Sequence, residues 1–247
     1  MTTDGKKLPR EMVAAMQDDW AGGLSYVEAM KAKLKEEESP SKEMKRRQSP
    51  VVRSELKGES LELYDRIVES RGKVGAKAGF SATREDGSLA GPWNAMVTAS
   101  PAIGKAAEAL ANACRQANSV PPVLYECGIL CIAASRRCNF EFYAHELIAR
   151  QKGVADETIA AIKMLVDPKD LPGSEAQRAI YKYALELDRT HRVSDETHAA
   201  ALKALDNDET QLADFVFTIG LYSQVAFVLN AYQVPLPPGK PHPFPPN

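Results

Sequence analysis

A chain of 247 residues can bury one large core or two small ones. With 44% hydrophobic and 26% charged residues it has the composition of an ordinary globular protein, not a disordered or fibrous one. A net charge of −2 and a pI near 6.1 leave no bulk charge for holding nucleic acid or an anionic membrane, so neither is expected as a partner.

Residues 1–10 show no periodic pattern and are expected to be disordered. Helical patterns follow over 10–20, with Met12, Met16 and Trp20 in register, and over 24–38, with Val27, Met30 and Leu34, separated by Gly22-Gly23. Pro40 and Pro50 punctuate a charged stretch. Residues 1–58 hold too little apolar surface for a core of their own and read as an N-terminal helical extension. Residues 59–70 form a short amphipathic helix with Leu61, Tyr64, Ile67 and Val68 on one side. Residues 71–90, with glycines at 72, 75, 79 and 87, predict a long loop containing an Asp86-Gly87 turn.

Gly91-Pro92-Trp93-Asn94 opens the next helix, and Ser100, as N-cap, starts one over 101–117. Val120-Pro121-Pro122 introduces the central segment, 121–150. Asp156 is expected to cap a helix to Val166, and helices over 174–190 and from Ser194 follow. Residues 208–231 are apolar nearly all round, which predicts a central helix. The tail from Val234 is extended by its prolines. Val and Ile never alternate over a useful length, so the fold class is all-α.

The four cysteines, 114, 127, 131 and 138, crowd into one region and match no structural zinc spacing. Free thiols in a reducing compartment are expected. The polar start MTTDGKK has no apolar segment behind it, and no apolar run reaches the roughly 18 residues of a membrane span. A cytoplasmic protein without membrane attachment is therefore expected.

The central segment carries Glu126, Cys138, Glu141 and His145, which are acid, nucleophile and base types. On one straight helix Glu126 and His145 would lie on the order of 28 Å apart and roughly 100° off in direction. Cys138, Glu141 and His145, in contrast, share a face. Either Glu126 is unrelated to the others, or the chain turns near Ser135–Asn139 and two helices pack together. No Gly or Pro marks such a turn, and the spacing leaves both solutions open.

Several motifs carry a resemblance. The Glu126, Cys138, Glu141, His145 spacing, GPWNA at 91–95, SPAIG at 100–104, FEFYAHE at 140–146, Ala149-Arg150 with Gly153, THRVSD at 190–195, Tyr222, Asn230 and VPLPPG at 234–239 are collinear. Together they resemble the carboxymuconolactone decarboxylase family and its relatives, the AhpD-type alkylhydroperoxidases, over about residues 59–240. The resemblance implies an AhpD-like helical bundle in which the Glu126 helix packs on the His145 helix, with residues 241–247 left as a Pro-rich tail. It also implies homo-oligomers, commonly trimers or hexamers.

The sequence departs from both branches. The peroxidase branch carries C-x-x-C before His, and Glu141 stands here at the second cysteine. An intramolecular resolving thiol is thereby lost. Decarboxylase-like members often carry an arginine where Ala134 stands.

The resulting expectation is a lyase or isomerase acting on a small cyclic unsaturated acid or lactone, with no cofactor. His145 would be the acid/base, Glu141 its orienter and Glu126 a second acid. Trp93, Asn94 and Arg137 would bind substrate. The alternatives are a thiol peroxidase using Cys138 and a non-catalytic binder of a small ligand. His191, His198 and His242 read as surface residues.

Overall fold

Two stretches of this sequence are apolar on nearly every side, and both become central helices. The computed structural model describes residues 46–78 and 81–244. The helices expected over 10–20 and 24–38, and the disorder expected over 1–10, lie outside the described residues. Within them the fold is all-α, with helices α1 Gly58–Ala78, α2 Trp93–Thr98, α3 Pro101–Gln116, α4 Pro122–Ser135, α5 Asn139–Gln151, α6 Asp156–Lys163, α7 Glu175–Thr190, α8 Asp195–Ala204 and α9 Glu209–Ala231. Extended pairing among the described residues is limited to two isolated bridges, Val52 with Ser88 and Thr83 with Leu89.

Helix α4 is the hub. From Leu124 to Ala134 every residue except Tyr125 is buried, against α7, α5, α9 and α6. A helix enclosed this way needs no polar face, which is why its sequence has no amphipathic stripe. Its approach to α9 requires a small residue. A Cβ added at Gly128 would stand 2.5 Å from Cε2 of Phe215, inside van der Waals contact.

Helix α9 begins on an Asp208 cap, whose carboxylate accepts from the amides of Thr210 and Gln211. It buries Leu212, Phe215, Ile219, Leu221, Ala226 and Leu229. It is not enclosed on all sides as expected: Ala213, Phe217, Gly220, Gln224 and Phe227 lie on an exposed face. Phe217 and Phe227 are 67% and 59% exposed. By length and composition α9 is apolar enough to span a membrane, although those six side chains pack inside the bundle.

The turn that spacing left open exists. Helix α4 ends at Ser135, Arg137 takes a left-handed conformation at φ 49°, and α5 starts at Asn139. The amide of Cys138 donates to the Ala133 carbonyl and that of Arg137 to the Ala134 carbonyl. This is a Schellman pattern, built on arginine where glycine is usual. The tail closes over the turn. The Phe244 amide donates to Asn139 Oδ1 at 2.7 Å, and the Phe244 ring stands edge-on to Phe142 at 5.2 Å. Phe244 is therefore a core residue.

Other expectations need correction. Helix α1 does not stop at Ser70 but runs through Gly72 to Ala78, so the long loop shrinks to residues 81–92. Arg71 is buried on the same face as Leu63 and Ile67, and this packing outweighs the low helix propensity of the glycines. The Asp86-Gly87 turn forms, with Gly87 at φ 76° and its carbonyl accepting from the Tyr64 hydroxyl at 2.6 Å. Ser100 precedes α3 but makes no side-chain cap bond. Asp156 lies one position inside α6 and pairs with Arg150 at 2.6 Å instead of capping.

Candidate active site

Glu126 comes from α4 and His145 from α5, and the turn at 136–138 brings the two helices side by side. His145 Nδ1 lies 2.9 Å from Glu126 Oε2, with both residues buried at 9% and 2% exposure. The ring of Tyr222, from α9, stands edge-on to the imidazole at 4.5 Å. One imidazole nitrogen is thus committed to a carboxylate and the ring is pinned. With Glu126 ionised, Nδ1–H donates to it and Nε2 is left as the acceptor available to a ligand.

Two cavities meet at this histidine. An outer cleft of about 580 Å³ is lined by Arg66, Tyr125, Glu126, Ile129 and Lys152, among others. An inner chamber of about 90 Å³ is lined by Arg71, Trp93, Met96, Phe140, Glu141 and Leu229, among others. Arg115, His145, Ile148 and Tyr222 belong to both and form the neck between them. Arg115 donates to Asn112 at 2.6 Å.

Glu141 is not the orienter of His145. The two share a helix face, but the imidazole turns to Glu126. Glu141 is 2% exposed, and neither of its carboxylate oxygens has a hydrogen-bond partner. Burial pushes its carboxyl well above the usual range, and the Arg136 guanidinium opposes this only in part. Arg136 itself is bound to Asp188 at 2.5 Å. Glu141 therefore faces the inner chamber as a carboxyl whose neutral form burial favours.

Cys138 is fully buried and lines neither cavity. Burial, with Glu141 adding to it, drives its thiol far above the ordinary value, the opposite of what an activated nucleophile needs. Cys127 and Cys131 are also buried, and burial pushes the Cys127 thiol up to about 12. Cys114 is half-buried at the cleft.

Of the expected binding residues, Trp93 lines the chamber. Asn94 does not: its Nδ2 donates to Gln48 Oε1 at 2.8 Å and to the Ser49 carbonyl at 3.1 Å, and its Oδ1 accepts from the Val51 amide at 2.9 Å. A buried amide holding three backbone and side-chain partners is a clamp for residues 48–51. Arg137 lines neither cavity either, and its guanidinium lies 5.7 Å from the Phe244 ring centroid. Among the described residues no three His, Cys, Asp or Glu side chains are grouped to hold a metal ion.

The bundle with this paired Glu and His is similar to solved structures. An alkylhydroperoxidase AhpD core, an uncharacterized peroxidase-related protein from Ralstonia eutropha JMP134, matches with a TM-score of 0.61 and 16% identity, over 78% of this chain and 93% of that one. The fold is AhpD-like. An uncharacterized peroxidase-related protein from Silicibacter sp. TM1040 matches with a TM-score of 0.54 and 12% identity, over 68% of this chain and 83% of that one. No family model and no curated protein matches the sequence.

Three residues of this site carried little or no signal in the sequence. Arg115 carries no signal beyond its place on an amphipathic helix. Tyr222 belonged to the resemblance, but its contact with His145 needs α9 laid across α5. Arg71 did leave a trace. Leu63, Ile67 and Arg71 fall at i, i+4 and i+8, so extending α1 by one turn puts a cation on its apolar face.

Proposed function

We propose that this protein is a lyase or isomerase for a small cyclic unsaturated acid or lactone, working by His145 acid–base chemistry with no cofactor. The observation that carries this reading is the His145–Glu126 pair at the neck between the two cavities. The substrate would lie across the neck. For proton transfer, neutral His145 takes a proton from carbon on Nε2 and returns it elsewhere, while Glu126 stabilises the imidazolium. For decarboxylation, the C–C bond breaks, its electron pair moves into the conjugated carbonyl, CO₂ leaves, and a protonated His145 delivers its proton to the enolate carbon. Water from the cleft would then reprotonate the ring.

The peroxidase-related names of the similar structures favour a second reading, a thiol peroxidase using Cys138. The closed environment of that thiol weighs against it. A screen for CO₂ release from carboxylated lactones and aromatic polyketide acids tests the choice. Cys138→Ala should retain turnover and His145→Ala should lose it. Hydroperoxide consumption abolished by Cys138→Ala, with no CO₂ from any acid, would establish the second reading instead.

We also propose self-association as a homo-oligomer. The exposed face of α9, with Phe217 and Phe227, supports it. Sedimentation at micromolar concentration checks it, and a strictly monomeric chain refutes it.

A further inference from the structure

The inner chamber is lined by a cation with two nitrogens unpaired among the described residues. Arg71 is 5% exposed, and its Nε and Nη2 are buried without a hydrogen-bond partner. These two nitrogens form the side edge of the guanidinium, whose parallel N–H bonds match the two oxygens of a carboxylate. Burying such donors unpaired is costly. Glu141, across the same chamber, is equally buried and also lacks a partner.

We propose that the chamber is a carboxylate subsite, in which the Nε/Nη2 edge of Arg71 takes both oxygens of a planar cyclic carboxylic acid whose ring packs against Trp93, Phe140 and Leu229. The subsite rests on the reading of the paired cavities as the site of a cyclic acid, and it fixes the direction of entry. The acid group goes inward, and the opposite edge of the ring stays at the neck beside His145 and Tyr222. A carboxylate held this way is a handle and not the group that leaves as CO₂, because ion pairing stabilises the carboxylate more than neutral CO₂. The reacting carbon is therefore remote from the anchored carboxylate.

Burial favours the neutral form of Glu141, which leaves the charge of Arg71 uncancelled. The other ionisable groups facing the chamber are Arg115 from α3, His145 from α5 and Tyr222 from α9. Arg136, at the end of α4, acts on Glu141 from outside it, and Glu141 in turn acts on Cys138.

The test is calorimetric titration of the full chain with benzoate and with benzamide, its neutral counterpart, at pH 6. Benzoate should bind tighter by about ten-fold or more, the factor expected of one charge-assisted bidentate contact. Arg71→Met should abolish that preference while leaving benzamide binding within about two-fold, and Glu141→Gln should leave benzoate affinity within about three-fold. Equal binding of the two ligands by the native chain overturns the proposal. So does a preference that survives Arg71→Met. So does a gain of about ten-fold or more in Glu141→Gln, which would mean that Glu141 already fills Arg71 as an anion. If Arg71→Met fails to fold by circular dichroism, the native chain and Glu141→Gln still decide. Binding is read without turnover. Loss of the subsite therefore leaves the acid–base reading standing, and bound benzoate with no active substrate refutes only the latter.

Discussion

Replacing Glu141 by glutamine should make the protein more stable, by an amount that grows with pH. In the native chain this carboxyl is buried with both oxygens unpartnered, and its folded value is raised. An unfolded glutamate ionises near pH 4.3. Above that pH the native state holds one proton that the unfolded state has released, so stability falls as pH rises until the folded carboxyl itself ionises. The slope is about 1.36 kcal/mol per pH unit. Glutamine has nearly the same shape, has no proton to lose, and leaves its polar atoms equally unpaired at every pH. The absolute difference between the two proteins mixes several effects, but the change in that difference isolates the ionisation. Between pH 5 and pH 6 the advantage of Glu141→Gln should widen by about 1 kcal/mol, or roughly 2–4 °C in Tm for a chain of this size. Urea unfolding followed by circular dichroism at pH 5, 5.5 and 6 measures it. Parallel stability curves, or an advantage that shrinks with rising pH, would show Glu141 to be an ion-paired carboxylate and refute the assignment.

Glu126→Gln should lower kcat by about 10²–10⁴ with little change in KM, since it removes the group that holds His145 in its basic tautomer. Steady-state kinetics on the first active substrate from the CO₂ screen checks this. Ellman's reagent should modify one thiol of the native protein, Cys114, and all four after denaturation; rapid native modification of Cys138 would contradict its burial. Gly128→Ala should destabilise the fold by about 1–3 kcal/mol, because its methyl group meets Phe215 in a packed interface. Chemical denaturation reads the loss.

The all-α class was legible because α4 and α9 are apolar around most of their circumference and no stretch alternates. Helix ends were less legible, since packing decides them: α1 passes through Gly72 because Leu63, Ile67 and Arg71 face the interior together. The site was legible in composition but not in pairing. A local rule joins Glu141 to His145 four residues on, yet the bond forms with Glu126, 19 residues away, across a turn that has arginine where glycine would have announced it. Asn94 looked like a pocket amide because its partners, 43 to 46 residues away, are invisible to periodicity.

The Asn94 clamp also bears on how this chain can be trimmed. The boundary near residue 58, natural by composition, would cut away Gln48, Ser49 and Val51 and strand a fully buried amide with no acceptor for its N–H groups and no donor for its oxygen. The loss would fall at the start of α2, one residue from Trp93 in the chamber wall. A shortened protein meant to keep the site should begin ahead of Gln48, with the strap still threaded.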